Sequence, residues 1–196
     1  MSATVEQVVL LDEDGNDIGS APKREVHDAA TPLHLAFSCY VFDSDERLVL
    51  TRRALDKATF PGAWTNTVCG HPAPGEDIAA AVVRRARQEL GMGLHGLRLV
   101  LPGFRYRAEA NGVVENEMCP VFTAVSDDLP RPDPVEVDSV RSRPWDEVVS
   151  DVLDGRAELS PWCTDQVRRL TALGPRPGDW PDGDPALLPP AARRSS

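Results

Sequence analysis

The sequence predicts a mixed α/β (α+β) fold, an α/β/α sandwich whose mixed sheet contains hairpins. Hairpin patterns recur along the chain, one strongly amphipathic helix lies near the middle, and further helices follow towards the end. Hairpins exclude an all-parallel sheet, and helices with one apolar face need a sheet to cover. The 196 residues are enough for one domain with a real core, which we place at residues 1–171.

The first part of the chain predicts two hairpins and a long loop. Residues 8–19, VVLLDEDGNDIG, predict a strand, a turn and a second strand. Residues 35–42 and 48–53 are apolar strand patterns on either side of the polar turn DSDER. Residues 54–75 are rich in Gly and Pro and therefore predict a loop.

Residues 78–90 predict a helix. Ala79, Val82, Ala86 and Leu90 recur along one stripe with Val83 beside them, and Gly91 is a typical helix stop. Residues 97–107 and 113–125 then predict two strands joined by a turn at 109–112.

The end of the chain predicts two helices and a tail. Residues 145–153 have a helical apolar pattern, and Ser160 followed by a proline is a favourable helix start. Residues 172–196 contain six prolines and no periodic apolar pattern. This segment therefore predicts a mobile tail rather than a second domain.

Composition excludes several classes of function. A net charge of −10 argues against a nucleic-acid partner, and no apolar run approaches the length of about 20 residues that a membrane helix needs. The N-terminus lacks the basic and apolar regions of a secretory signal. The four cysteines form no CxxC pair, which favours reduced thiols and a cytoplasmic protein. We expect a monomer as the default state.

Histidines and glutamates predict a metal site. Glu115 and Glu117 are two apart in a predicted strand, so both carboxylates point the same way and need a positive partner. Together with His27, His34 and His71 they would make a mixed N/O site suited to Mn²⁺ or Zn²⁺. A single histidine is more often a surface or core residue, and an edge strand can carry two exposed glutamates, so spacing alone leaves both interpretations open.

Residues 70–92, GHPAPGEDIAAAVVRRARQELGM, resemble the Nudix box, a loop–helix–loop that binds divalent metal and diphosphate. The matching positions are Gly70, Glu76, Arg84, Glu89 and Gly91. In this pattern, however, an arginine (residue 85) and a glutamine (residue 88) replace two of the acidic residues. The altered charge favours a site with one Mg²⁺ and a diphosphate over a multi-metal hydrolytic site. From the helix alone, a plain solvent-exposed amphipathic face is equally compatible.

A wider resemblance covers residues 5–170. TNTVCGHP and ENEMCPVF, together with HLAFSCYVF, FRYRA and SPW, are similar to the type I isopentenyl-diphosphate isomerases, which have the Nudix fold. The resemblance implies reversible 1,3-allylic isomerisation of isopentenyl diphosphate to dimethylallyl diphosphate, in isoprenoid precursor biosynthesis. It also implies a small-molecule isoprenoid diphosphate as the partner.

The resemblance implies a role for each matching residue. The catalytic residues would be Cys69, Glu117, Tyr106 and Trp162. The residues that hold the diphosphate would be Lys23, Arg53, Lys57 and Arg85. The metal ligands would be His27, His34, His71, Glu115 and Glu117, with Cys69 as a further candidate, and Glu89 would bind Mg²⁺ together with the diphosphate.

The chemistry explains why such residues are needed. Neither the double bond nor the allylic C–H of the substrate is activated, so protonation to a tertiary carbocation must precede loss of a proton. We expect Glu117 to give the proton and Cys69 to take the second one, with the roles exchanged in reverse. Trp162, with Trp64 as a further candidate, would stabilise the cation through its ring.

Two other functions compete with this one. A Nudix pyrophosphohydrolase would release phosphate, which the replaced acidic residues oppose. A protein that only binds metal or diphosphate would not need Cys69, Glu117 and Trp162 together.

Overall fold

The computed structural model describes residues 6–193, which form twelve strands and four α-helices. In chain order the strands are β1 (Gln7–Leu11), β2 (Asp17–Pro22), β3 (His34–Leu35), β4 (Phe37–Phe42), β5 (Arg47–Arg53), β6 (Trp64–Thr65), β7 (Val68–Gly70), β8 (His95–Leu101), β9 (Arg105–Ala110), β10 (Val113–Met118), β11 (Val121–Val125) and β12 (Val137–Pro144). The helices are α1 (Lys23–Val26), α2 (Ile78–Leu90), α3 (Trp145–Leu153) and α4 (Pro161–Leu173).

The strands form two mixed sheets. A five-stranded sheet has the order β2-β1-β3-β10-β9, in which β3 and β10 are parallel. A seven-stranded sheet has the order β12-β5-β4-β11-β8, with β6 beside β5 and β7 beside β4, and β4 and β11 are parallel. The predicted hairpins at β1–β2 and β4–β5 are both present as antiparallel pairs.

Helices cover both faces of the seven-stranded sheet. Along β4, Phe37 and Cys39 pack with α2, whereas Tyr40 and Phe42 pack with α3 and α4. Side chains alternate between the two faces of a strand, and all four of these are buried because helices cover both faces. The predicted α/β/α sandwich is therefore confirmed.

Helix α2 has the predicted bounds. Asp77 caps its start by accepting a hydrogen bond from the Ala80 N–H at 2.9 Å. Gly91 ends it with a φ of 64°, a left-handed conformation that glycine adopts without strain. Ala86 and Leu90 of the predicted stripe are buried in the core. Arg85 and Glu89 are buried as well, although they are charged, so this face of the helix is not solvent-exposed.

The two long strands predicted after α2 are each divided in the structure. Residues 97–107 separate into β8 and β9, and residues 113–125 separate into β10 and β11. Pro102 and Pro120 lie at the two breaks. A proline has no N–H to donate to the sheet, so each predicted strand ends there and its two halves join different sheets. The short strands β6 and β7 lie within the predicted loop.

The segment after α4 packs against the rest of the protein, in contrast to the expected mobile tail. Trp180 is 2% exposed and its ring contacts Trp145 and Phe42 at centroid distances of 5.3 and 5.9 Å. The Gly183 N–H donates to the Leu99 carbonyl at 2.8 Å. Prolines restrict the backbone but do not prevent a segment from covering an apolar surface. A search for helix or strand periodicity does not detect packing of this irregular kind.

Within residues 6–193, no helix combines the length and the apolar character needed to cross a lipid bilayer.

Candidate active site

A cavity of roughly 560 Å³ is lined by strands of both sheets together with α2 and α4. Among the residues expected to form the site, those lining it are Lys23, His27, Arg53, Lys57, Cys69, His71, Arg85, Glu89, Tyr106, Glu115, Glu117 and Trp162. His34 is fully buried and lies behind them, in contact with Glu117. The topology therefore brings together residues that are up to 139 positions apart (Lys23 and Trp162).

Three imidazoles and one carboxylate converge at one side of the cavity. One ligand atom from each of His27, His34, His71 and Glu117 lies within 4.8 Å of every other. His34 is on β3 and Glu117 on β10, and the parallel pairing of these strands puts the two residues in register. Neither Glu115 nor Cys69 is part of this four-residue group.

The hydrogen bonds of the histidines leave lone pairs for a cation. Nδ1 of His34 lies 2.9 Å from the Pro32 carbonyl, and Nδ1 of His27 lies 3.3 Å from the Lys23 carbonyl. A carbonyl can only accept, so each Nδ1 carries the hydrogen and each Nε2 keeps its lone pair. Backbone acceptors of this kind commonly orient metal-binding histidines.

Nε2 of His34 lies 3.3 Å from Oε1 of Glu117 but makes no well-aligned hydrogen bond and has no other partner. Two lone-pair atoms this close repel each other unless a positive charge lies between them. A divalent metal ion would supply that charge, so the donor set and its unpartnered nitrogen fit a metal ion.

The pKa shifts in the cluster favour a neutral imidazole at His71 and an ionised carboxylate at Glu117. Burial lowers the pKa of His71 to about 3. Burial alone raises the pKa of Glu117, but its close contacts with His34 and His71 outweigh burial and hold that pKa well below its usual range. For His34, burial favours a lower pKa, and the close approach and charge of Glu117 raise it overall. Neutral imidazole and ionised carboxylate are the forms that bind metal.

Glu115 lies beside this cluster and has different partners. The Tyr106 hydroxyl is 2.8 Å from Oε2 of Glu115 and 2.8 Å from Oε2 of Glu117. Oε1 of Glu115 lies 3.9 Å from a guanidinium nitrogen of Arg53. Burial and the neighbouring Glu117 raise the pKa of Glu115.

Cys69 lies on β7 and has two polar partners. Both N–H bonds of the Asn66 amide donate to backbone carbonyls, so Oδ1 of Asn66 faces the Cys69 sulfur at 3.2 Å and accepts its S–H. The Ser38 hydroxyl oxygen lies 3.5 Å from the same sulfur. Burial raises the pKa of the Cys69 thiol to about 11, despite the hydrogen bonds of Ser38 and Asn66, which lower it.

Trp162 forms the aromatic wall of the cavity. Its ring lies 5.5 Å from Tyr106 and 5.1 Å from Phe60, and the Arg53 guanidinium lies over it at 5.7 Å. Trp64, the second tryptophan considered for this role, does not line the cavity; its ring instead stacks with the Arg141 guanidinium at 4.0 Å.

Opposite charges alternate along another wall. Glu89 accepts a hydrogen bond from Nε of Arg85 at 2.8 Å, and the Arg85 guanidinium also lies 3.6 Å from Glu6 and 3.4 Å from Glu136. The members of this ion-pair cluster are Glu6, Lys23, Lys57, Arg85, Glu89 and Glu136. Gly70 allows the close packing of Arg85, because a Cβ there would meet Cγ of Arg85 and Cζ of Phe37 at 3.0 Å.

The NUDIX domain model matches residues 32–163. An isopentenyl-diphosphate Delta-isomerase of Saccharopolyspora erythraea is 53% identical over 189 residues, covering 96% of this chain and 97% of the relative. The Mycolicibacterium vanbaalenii protein of the same name is 58% identical over 172 residues, covering 87% and 94%.

The chain belongs to the isopentenyl-diphosphate Delta-isomerase family, within the NUDIX domain proteins. The predicted family is therefore confirmed.

Solved structures support the Nudix fold of this isomerase-family chain. A Deinococcus radiodurans protein aligns with a TM-score of 0.63 at 20% identity, over 84% of this chain and 98% of that one. A MutT NUDIX hydrolase of Burkholderia pseudomallei aligns with a TM-score of 0.55 at 20% identity, over 70% and 98%. At these identities the likeness concerns the fold alone.

Sequence reasoning missed several polar residues of this candidate site. Glu6 and Glu136 lie in the ion-pair cluster, and Ser38, Asn66 and Gln166 lie beneath Cys69. Glu6 and Glu136 stand alone among residues with no motif, so nothing in the sequence distinguishes them from surface glutamates. Asn66 lies within TNTVCGHP, where its position three residues before the cysteine was an available signal.

Proposed function

We propose that this chain interconverts isopentenyl diphosphate and dimethylallyl diphosphate, as the names of its relatives indicate for those proteins. One observation carries the proposal: a thiol, a carboxylate and a buried tryptophan ring, from Cys69, Glu117 and Trp162, face a single cavity. Cys69 belongs to the seven-stranded sheet and Glu117 to the five-stranded sheet, which supports their approaching a flat substrate from different sides.

The reaction moves one proton onto the substrate and another off it. A proton added to the terminal CH₂ carbon consumes the double bond and leaves a tertiary carbocation at the adjacent carbon. Loss of a proton from the next CH₂ group, on the diphosphate side, forms the new double bond. The overall charge is unchanged, so the protein needs one proton donor and one proton acceptor.

Cys69 and Glu117 are the proposed pair. The chain's own electrostatics favour a Cys69 thiol, because burial raises its pKa to about 11, and a Glu117 carboxylate, because the histidines lower its pKa. This resting state supports Cys69 as the donor towards isopentenyl diphosphate and Glu117 as the acceptor, opposite to the assignment expected from the sequence. Tyr106, which contacts Glu117 at 2.8 Å, is proposed to exchange the proton with it.

Trp162 is proposed to stabilise the carbocation. A cation over an indole ring gains about 2 kcal/mol or more when water is excluded. The ring is 2% exposed, and a guanidinium already lies over it in this structure. The environment of the ring therefore suits a cation.

Two kinds of divalent ion are proposed. His27, His34, His71 and Glu117 would hold Mn²⁺ or Zn²⁺, with Glu115 as a further candidate ligand. Glu89 would hold Mg²⁺ together with the diphosphate, which Lys23, Arg53, Lys57 and Arg85 would bind. Bound at the histidine cluster, a metal ion would supply positive charge that favours the carboxylate form of Glu117.

We also propose a cytoplasmic monomer with a single isomerase domain at residues 1–171. All four cysteines are unpaired, which supports a reducing compartment. Residues 174–193 would cover this domain rather than form another, since Trp180 packs against α3.

Isotope transfer tests the reaction. The protein is incubated with isopentenyl diphosphate, Mg²⁺ and Mn²⁺ in D₂O, and products are analysed by mass spectrometry with a parallel assay for phosphate. Deuterated dimethylallyl diphosphate is the expected product. Phosphate release would instead indicate a hydrolase, and neither product would indicate a protein that only binds. Wild-type turnover by Cys69→Ala would contradict the proposed acid–base pair.

Thermal unfolding tests the metal site independently of turnover. Added Zn²⁺ or Mn²⁺ should raise the Tm of the metal-free wild-type protein, because a ligand that binds only the folded state stabilises it. The rise should be much smaller in His71→Gln. An equal rise in both proteins would place the metal elsewhere.

A further inference from the structure

The ion-pair cluster contains as many carboxylates as basic groups. The carboxylates are Glu6, Glu89 and Glu136, and the basic groups are Lys23, Lys57 and Arg85. A wall expected to bind a diphosphate therefore has no excess of positive charge from these six residues. A bare diphosphate placed there would gain from the basic groups and lose a comparable amount to the carboxylates.

Arg85 lies at the centre of the cluster, with a lysine at each end. Its guanidinium contacts all three carboxylates. Glu6 also binds Lys23, at 3.1 Å, and Glu136 also binds Lys57. Each of these two glutamates thus links the central arginine to one lysine.

The Glu136 carboxylate lies beside the basic groups that a bound diphosphate would contact. It precedes β12 and lines the cavity beside Lys57 and Arg85. Burial raises the pKa of Glu136, but the hydrogen bond from Lys57 and the charge of Arg85 outweigh it and lower that pKa overall. The carboxylate is therefore negatively charged at neutral pH, and a phosphate oxygen approaching either basic group also approaches this charge.

We propose that Glu136, and to a lesser degree Glu6, make this site selective for a diphosphate complexed with a divalent cation over free diphosphate. This inference rests on the proposed function, because it assumes that a diphosphate binds among Lys23, Lys57 and Arg85. A divalent cation offsets the added negative charge, and carboxylate oxygens are the ligands that Mg²⁺ prefers. The same carboxylates that repel free diphosphate attract its magnesium complex.

Glu136 is the stronger determinant because it is more buried than Glu6. Their side chains are 22% and 41% exposed, so solvent screens the charge of Glu6 more. Glu136→Gln keeps the shape of the side chain and a hydrogen-bond acceptor for Lys57 while it removes the negative charge.

Calorimetric titration with inorganic diphosphate tests the inference. Wild type, Glu136→Gln, Glu6→Gln and a control, Glu13→Gln, are titrated with diphosphate without added divalent cations and with its magnesium complex. All preparations carry the same metal content at the histidine cluster, checked by elemental analysis. Glu13 is an exposed glutamate that pairs with Arg105, so its replacement makes the same change in net charge outside the cavity.

We expect Glu136→Gln to bind free diphosphate about tenfold more tightly than wild type, and the magnesium complex no more tightly. The ratio of the two dissociation constants should fall in Glu136→Gln, fall less in Glu6→Gln, and stay at the wild-type value in Glu13→Gln. An unchanged ratio in both cavity variants would overturn the inference while leaving the diphosphate site in place. Failure of the wild-type protein to bind either form would instead overturn the proposed diphosphate site, and the inference with it.

Discussion

The Tyr106 hydroxyl oxygen lies 2.8 Å from Oε2 of Glu117, on the neighbouring strand of the five-stranded sheet. Oε2 of Glu115 lies at the same distance from this oxygen, yet a tyrosine has a single proton to donate. Burial and the neighbouring Glu117 raise the pKa of Glu115, whereas His34 and His71 lower that of Glu117. The Glu117 carboxylate is therefore the stronger acceptor for the Tyr106 proton.

The hydrogen bond from Tyr106 to Glu117 predicts that Tyr106→Phe lowers kcat of isomerisation by about 10²-fold, the usual lower range for a positioned proton-transfer group, and changes KM little. The ring contact with Trp162 at 5.5 Å is retained by phenylalanine, so the cavity wall should keep its shape. Steady-state kinetics with isopentenyl diphosphate measure both constants, and urea unfolding checks that the fold is unchanged. A KM effect without a kcat effect would assign Tyr106 to binding alone.

Ser38 lies at the end of a chain of hydrogen bonds beneath Cys69. The Tyr40 hydroxyl donates to Oε1 of Gln166 at 2.9 Å, and Nε2 of Gln166 donates to the Ser38 oxygen at 3.0 Å. Because the Cys69 S–H donates to Asn66, the Ser38 hydroxyl is the donor in its contact with the Cys69 sulfur at 3.5 Å; the Cys119 sulfur lies 3.4 Å from the same hydroxyl. All three members of the chain are fully buried.

Ser38→Ala should therefore lower kcat about tenfold, the typical loss for one hydrogen bond of 1–1.5 kcal/mol, with KM nearly unchanged. Gln166→Met should also lower kcat. The double variant should lose less transition-state stabilisation than the sum of the two single losses, because both act through the contact of Ser38 with Cys69. Kinetic measurements on the four proteins give this coupling. Additive losses would show that the two side chains act separately.

Trp162 is predicted to act on the carbocation rather than only on the fold. Trp162→Phe should retain part of the activity, whereas Trp162→Leu should lower kcat about 30-fold, the equivalent of roughly 2 kcal/mol of cation–π stabilisation. Trp145 is a matched control, because it is similarly buried and its indole N–H also has no partner, but it does not line the cavity. Trp145→Leu should lower the free energy of unfolding without a comparable loss of kcat. Similar kinetic losses in both leucine variants would assign Trp162 a packing role.

Much of this fold follows from local pattern. Apolar periodicity and Gly91 predict α2 to the residue, and in the structure Asp77 caps its start. The turn after β9 is equally predictable from the sequence, and Asn111 and Gly112 in it have positive φ. Pro120 marks the break within residues 113–125, but the sheet that each half joins depends on the partner strand it finds in space rather than on its own sequence.

The candidate site divides in the same way. His34 and Glu117 become neighbours through the pairing of β3 with β10. The residue types, and the two-residue spacing of Glu115 and Glu117, are sufficient to suggest a metal site there. The partners of the basic residues could not be predicted. Glu136 reaches Arg85 from the position just before β12, a strand absent from the predicted pattern, and its side chain differs in no local feature from a surface glutamate.

The segment after α4 predicts a large effect on stability. Trp180 fills a space beside Trp145 and Phe42, so Trp180→Ala should lower the free energy of unfolding by about 3–5 kcal/mol, as expected for a buried tryptophan. Leu187→Ala, in the same segment but 63% exposed, should change it by less than about 0.5 kcal/mol. Urea unfolding measures both. A loss below about 1 kcal/mol for Trp180→Ala would support a tail that does not pack in solution.

Acid should destabilise the metal-free protein through His71. Burial lowers its folded-state pKa to about 3, against about 6.5 in the unfolded chain. Between these values the unfolded state binds the extra proton, so stability falls as pH falls, with a slope of up to about 1.4 kcal/mol per pH unit. Glu117, whose pKa is lowered, adds a loss that begins near its unfolded value of about 4.5. His34 has the opposite sign, because its raised pKa contributes stability that is fully present below the unfolded value and lost above the folded one.

Between pH 6 and 5 Glu117 is mostly ionised in both states, so the difference between wild type and His71→Gln reports mainly on His71. Urea unfolding of the metal-free protein at several pH values should give a steeper acid loss in wild type than in His71→Gln, by up to about 1.4 kcal/mol per pH unit. His95→Gln is the control, since His95 is exposed on β8 and outside the cluster. Its slope should equal that of wild type. If His71→Gln also retains the wild-type slope, His71 is protonated in the folded protein, and the neutral imidazole that metal binding requires is not its resting form.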